Sequence, residues 1–350
     1  MGLVIRVHRS RVARRFQWET CPRSRSGGGR SHPGDLVPDR EAVGAKPAAS
    51  HQAVAFANFY DTLRARFSNP DLDLPTIRDV LETMHLATKE PEGVSYAEVD
   101  AGGVEALWCI PAGSDPERLL LHSHMGGTVV TSMHSDRKAA AHIAKAAGVR
   151  SLVLNYRRSP ECKFPAQIDD VEKAYNWLLH SGYQPANIAS VGHSIGGNLA
   201  VSLALRLRDN GSSLPGAILS ISPWIDIAMT NRTIDSNADS DKLLSRPLLE
   251  FFRASWLDGT GVEYNDPWVN LLWADLSGLP PIAVYYGTDE LLAGEALEFG
   301  LQANVAGNDI ILRPVPAGQH SFIIGAGRVP EVDHEVTEMG RWLRSKLGAD

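Results

Sequence analysis

Gly192-His193-Ser194-Ile195-Gly196 is the stretch of this chain whose residue types and spacing could do chemistry. Ile188 to Val191 ahead of it is a short apolar run suited to a buried strand, and Leu199, Leu203 and Leu207 behind it recur at helical spacing. A serine on so tight a strand-to-helix turn has its hydroxyl pushed outward, with the next backbone N–H, that of Ile195, aimed at the reacting oxygen. Small residues at Gly192 and Gly196 let strand and helix close on each other. Such a serine is suited to attack an acyl carbonyl if a base takes its proton and an acid holds the base.

Both partners can be placed. The apolar run Ile282 to Gly287 ends in Thr288-Asp289-Glu290, and Ile310 to Val315 ends in Pro316-Ala317-Gly318-Gln319-His320. Each delivers a polar residue to the carboxyl end of a strand, where the sites of open α/β sheets lie. His320 is the expected base and Asp289 the favoured acid, with Glu290 and Glu295 as alternatives; Asp289 could instead cap the helix that follows. With a histidine as base, activity should fall as pH drops through roughly 6.5.

Gly126 and Gly127 follow another apolar run, Arg118 to His124, and are the expected oxyanion donors together with the N–H of Ile195, because glycine leaves the backbone bare. His122 and His124 share one strand face and could hold a metal. No further ligand cluster follows them, so neither metal nor cofactor is expected. His124 is expected to hydrogen-bond the turn that shapes the glycine loop. His193 flanks the nucleophile but should point away from it, since neighbours along a turn diverge.

These groups need a scaffold, and the chain supplies strand signals alternating with helix signals. Strands are expected at Ser95 to Asp100, Val104 to Ile110, Arg118 to His124, Ser151 to Tyr156, Ile188 to Val191, Ala217 to Ser222, Ile282 to Gly287 and Ile310 to Val315. Helices are expected near 136–147, 167–180, 198–207, 293–306 and 330–347. That alternation predicts a mostly parallel sheet covered by helices on both faces. Two stretches break it, 50–88 and 224–262, and both read as helical cap segments over the sheet. Met125, Phe59, Trp224, Phe252 and Trp256 are candidate pocket lining, although any one of them could simply be core.

Composition narrows the function classes. At 350 residues and 43% hydrophobic content, the chain can bury a large core. Residues 1–48 are rich in Arg, Ser, Gly and Pro and are expected to be disordered, leaving 49–350 as the folded domain. Beyond residue 50 there are 24 Lys/Arg against 37 Asp/Glu, which argues against nucleic acid as partner. Three widely spaced cysteines, no apolar run near membrane-spanning length and no secretory pattern at the start favour a reduced, cytoplasmic setting. The expected partner is a small molecule; a homodimer is left open.

Taken in order, these stretches resemble the hormone-sensitive-lipase-like branch of the α/β-hydrolases. His124-Met125-Gly126-Gly127 resembles the family's H-G-G-G. Tyr156 to Glu161, with Phe164-Pro165-Ala166 and Asp169-Asp170, resembles its Y-R-L-A-P-E…F-P-A…D-D. Gly192 to Ala200 resembles G-D-S-A-G-G-N-L-A, and the Asp289 and His320 stretches resemble the acid and histidine loops. The resemblance implies the α/β-hydrolase fold with an eight-stranded sheet, and a serine carboxylic-ester hydrolase with Ser194, Asp289 and His320 as triad and Gly126, Gly127 and Ile195 as oxyanion donors. Met125, His193 and Ile195 depart from the pattern, replacing glycine, aspartate and alanine. The segment from Ser123 through Ser135 is similar to monoterpene ε-lactone hydrolase-like members, which implies compact hydrophobic esters or lactones as substrates. An acyltransferase using the same triad, or a receptor that has kept the fold, are the alternatives.

Overall fold

The structure is a computed structural model and describes residues 49–349. The disorder expected for residues 1–48 therefore lies outside the described residues.

The described chain opens with α1 (His51–Phe67) and α2 (Leu74–Glu82). Ser50 caps α1, its Oγ accepting from the Ala53 N–H at 3.1 Å, and Asp73 caps α2 by accepting from the Thr76 N–H at 3.0 Å. Pro75 sits in the first turn of α2, where its missing N–H costs nothing. There follow β1 (Val94–Asp100), β2 (Glu105–Pro111), β3 (Asp115–Ser123), α3 (Met133–Ala147), β4 (Val149–Leu154), α4 (Ala166–His180), β5 (Ile188–His193), α5 (Ile195–Asp209) and β6 (Ala217–Ile221). After β6 the alternation lapses into α6 (Thr233–Ser236) and α7 (Arg246–Leu257). It resumes with β7 (Ile282–Gly287), α8 (Ala293–Val305), β8 (Ile310–Val315) and α9 (Pro330–Leu347). Helix α3 starts three residues ahead of expectation because Ser132 and Ser135 cap each other's backbone.

Among the described residues eight strands form one sheet, in the order β1-β2-β4-β3-β5-β6-β7-β8. Strand β2 runs antiparallel to β1 and β4, and the remaining pairs are parallel. Side chains alternate between two cores, as the strand period requires. Leu120, Val191, Leu219 and Tyr285 face α3 and α9, whereas Leu119 and Leu121 face α4 and α5. Helices α1 and α7 join the first of these cores. Each fully buried Leu contributes about 1.5–3 kcal/mol.

The register matters for the site. Ser123 pairs with Gly192, His193 with Ile221, Ile221 with Tyr285, and Gly287 with Val315. The carboxyl ends of β3, β5, β6, β7 and β8 thus lie along one edge, and the loops that follow them converge. No described helix is long and apolar enough to cross a membrane.

Candidate active site

Ser194 stands between β5 and α5 with φ +57° and ψ −127°, a conformation that side-chain-bearing residues rarely adopt. Its backbone is pinned from both sides: its N–H donates to the Ile221 carbonyl at 2.9 Å, and its carbonyl accepts from Gly197 and Trp224. The turn closes only because two side chains are missing. A Cβ on Gly192 would lie 2.2 Å from the Gly196 carbonyl oxygen, and one on Gly196 would lie 2.1 Å from that of Ser123. Ile195 opens α5, so its N–H has no partner within the helix and lies at the positive end of the helix dipole.

His320 follows β8, as expected, and is buried. The Glu290 carboxyl lies beside it, with Oε2 3.4 Å from Nδ1. Asp289 is half-buried, accepts from the Thr288 hydroxyl at 3.1 Å, and uses its own N–H to tie the acid loop to the Gly318 carbonyl. Glu290 is fully buried, whereas Asp289 is half-buried. Glu295 is committed elsewhere, its Oε1 accepting from the Ile225 and Asp226 N–H groups.

Burial opposes charge on both members of the pair. It pushes the Glu290 carboxyl well up, against the pull of the Ser222 hydroxyl and the Gly287 backbone. It lowers the imidazole of His320 to about 4, against the opposing charge of Asp241. His320 is therefore uncharged at neutral pH, and a titration expected near pH 6.5 for an ordinary histidine moves downward.

Both loops are braced by residues 237–244, part of the 224–262 stretch expected to form a cap segment. Gln319 accepts from the Lys242 N–H at 2.7 Å and donates to the Ser240 carbonyl. Asn237 donates to the carbonyls of Thr288 and Glu290, and Asp241 accepts from the N–H groups of Leu243, Leu244 and Leu291. Asp241 is as buried as Glu290, and a carboxylate at this depth would have been hard to anticipate in a stretch so rich in Asp and Ser.

The loop after β3 carries Gly126 and Gly127 at φ +103° and +60°. The Met125 carbonyl accepts from His124 Nδ1 and from Thr131 Oγ1, both at 2.7 Å, and from the Tyr156 hydroxyl at 3.4 Å. A trans peptide points its N–H opposite to its carbonyl, so anchoring this oxygen also fixes the direction of the Gly126 N–H. His124 stacks on Tyr156 with ring centroids 4.0 Å apart, which places it in the role expected of it.

Ser194, His320, Gly126 and Gly127 line one cavity of about 30 Å³. Met125, Trp224 and Phe252 line it too, with Phe67 of α1, Leu81 of α2 and Met84 just beyond it. Phe59 and Trp256 do not. Phe59 borders a separate surface cavity with Leu86, and Trp256 is core, its Nε1 donating to Gln167 Oε1 at 3.0 Å while Phe164 meets its ring edge-on.

One described group of side chains has metal-ligand types: His122, Asp136 and His193. Here His122 shares a cluster with His193 rather than with His124. Both Nε2 atoms lie against the same oxygen, Asp136 Oδ2, at 2.7 and 2.6 Å. Ligands around a tetrahedral zinc lie about 3.3 Å apart, so this is hydrogen-bond geometry and leaves no room for an ion between the three groups.

Known proteins share this fold. Residues 120–324 match the model of a family described as having the α/β-hydrolase fold. An acetyl-hydrolase of Streptomyces hygroscopicus is 33% identical over 250 residues, covering 71% of this chain and 83% of its own. A putative acetyl-hydrolase, LipR, of Mycobacterium tuberculosis is 28% identical over 81% of this chain and 91% of its own. Among solved structures, an esterase from the bacterial hormone-sensitive lipase family superposes with a TM-score of 0.81 at 33% identity, covering 86% of this chain and all of its own. With its eight-stranded sheet and its serine between β5 and α5, the chain belongs to the α/β-hydrolase family, in the branch of the bacterial hormone-sensitive-lipase esterases.

Proposed function

We propose that this protein is a serine carboxylic-ester hydrolase that cleaves compact hydrophobic esters or lactones through an acyl-enzyme, with Ser194 as nucleophile, His320 as base and Glu290 as acid. The observation that carries this reading is that Ser194, His320 and the Gly126-Gly127 loop line a single cavity. In this reading the Glu290 carboxyl, 3.4 Å from His320 Nδ1, orients the imidazole so that Nε2 is left for the Ser194 proton. Ser194 Oγ then attacks the carbonyl carbon, and the N–H groups of Gly126, Gly127 and Ile195 receive the developing oxyanion. His320 returns the proton to the leaving alcohol. Water, deprotonated by the same imidazole, releases the acid. These steps use side chains, backbone and water alone.

Substrate size follows from the cavity. About 30 Å³ between Met125, Trp224, Phe252 and the cap suits a short acyl chain, and the acetyl-hydrolases among the relatives support the same reading. The test is hydrolysis of p-nitrophenyl esters from acetyl to dodecanoyl, and of ε-caprolactone, by the wild type and by Ser194→Ala. The expected result is the highest kcat/KM from acetyl to butyryl and no activity in the variant. Equal rates in both proteins would remove Ser194 from its role, and a dodecanoyl optimum would overturn the size argument.

A further inference from the structure

Asp136 takes no part in the steps above, yet it is fully buried within the site's framework and accepts from two imidazoles at once. A carboxylate so placed is costly, because a well-packed apolar group of similar volume is often as stable or more so. Burial alone would push its carboxyl up, but His193 and His122 draw it below the usual carboxylate range, so it is ionised. It also lies in the first turn of α3, where the helix dipole favours a negative charge.

What it joins is informative. His122 lies on β3, two residues before His124, which anchors the Met125 carbonyl and so the Gly126 N–H. Asp136 lies on the helix that the glycine loop feeds. The His122–Asp136 bond therefore closes that loop at its base, across fourteen positions of sequence. His193 immediately precedes Ser194, and its bond to the same oxygen ties the loop to the nucleophile turn. The centroids of the two rings are 5.8 Å apart.

We propose that Asp136 is a positioning residue for the esterase reaction: through His122 and His193 it sets the distance between the oxyanion donors Gly126 and Gly127 and the Ser194 hydroxyl. This rests on the serine-hydrolase reading above. Misplacing an oxyanion donor weakens binding of the transition state and not of the ester, so the loss should fall on kcat. A relative displacement of the order of 1 Å costs up to about 100-fold.

The test measures kcat and KM of Asp136→Ala, Asp136→Asn, His193→Asn and the Asp136→Ala/His193→Asn double variant on p-nitrophenyl acetate, with thermal melting and zinc content recorded on the same samples. Asp136→Ala should lower kcat about 10- to 100-fold with KM nearly unchanged. Asp136→Asn should recover most of that loss, because one amide oxygen can still accept from both imidazoles. The double variant should be no worse than Asp136→Ala. If Asp136→Ala does not fold, His193→Asn reads the nucleophile arm by itself, with the same expected fall in kcat. An unchanged kcat in folded Asp136→Ala, a loss confined to KM, or stoichiometric zinc that disappears with Asp136 would each overturn the proposal. A wild type inactive on every ester would instead overturn the reading on which it rests.

Discussion

Glu290 Oε2 lies 3.4 Å from His320 Nδ1, and both side chains are buried beneath residues 237–244. That proximity is the reason to propose Glu290 as the acid among the three candidates that the order of residues leaves. Glu290→Gln should lower kcat about 10⁴-fold, since a neutral amide neither stabilises the imidazolium nor enforces the tautomer. Asp289→Asn, one residue away, should cost less than about tenfold. Steady-state kinetics on p-nitrophenyl acetate decide between them, and the reverse ranking would restore Asp289.

The pH profile follows from the burial of His320. A general base works in its neutral form, and desolvation lowers the imidazole to about 4, so the neutral form persists well below the ordinary histidine value. kcat/KM should stay level from pH 7 down to 5 and halve near pH 4. Half-maximal activity at about pH 6.5 would mean an imidazole with ordinary solvation.

Most of the framework was legible in the sequence, for identifiable reasons. Strands buried on both faces announce themselves as apolar runs, and α9 begins at Pro330, where a proline fits only a first turn. Ser194 and His320 sit next to such strands, and their positions followed from the strand ends. The acid was less legible, because Asp289 and Glu290 are adjacent in sequence and both follow the end of β7. Trp256 looked like pocket lining for its size; its N–H partner, Gln167, is 89 positions away and left no local signal. Asp136 and Asp241 were missed for the same reason, their partners being distant in sequence.

Phe252 sets the cavity's size. A Cβ on Gly127 would fall 2.2 Å from the Phe252 ring, so this side chain of α7 lies directly on the Gly126-Gly127 loop. Phe252→Ala should move the acyl-chain optimum to longer esters and cost about 3–5 kcal/mol of stability, because the ring is buried. The chain-length series and a thermal melt check both parts. An unmoved optimum would place the acyl chain elsewhere.

Strain at the nucleophile can be measured separately from catalysis. A non-glycine residue held at φ +57° costs about 1–3 kcal/mol. Ser194→Gly should therefore melt at a higher temperature than Ser194→Ala, with both inactive. Equal melting temperatures would show that the turn is unstrained.

The central claim, that Ser194 is the reacting group, is tested most directly by labelling with a p-nitrophenyl phosphonate, a mimic of the tetrahedral intermediate, followed by peptide mapping. One phosphonyl group should be found on Ser194, and activity should fall in proportion to the fraction labelled. Labelling at another residue, or full activity in a protein labelled on Ser194, would contradict the account.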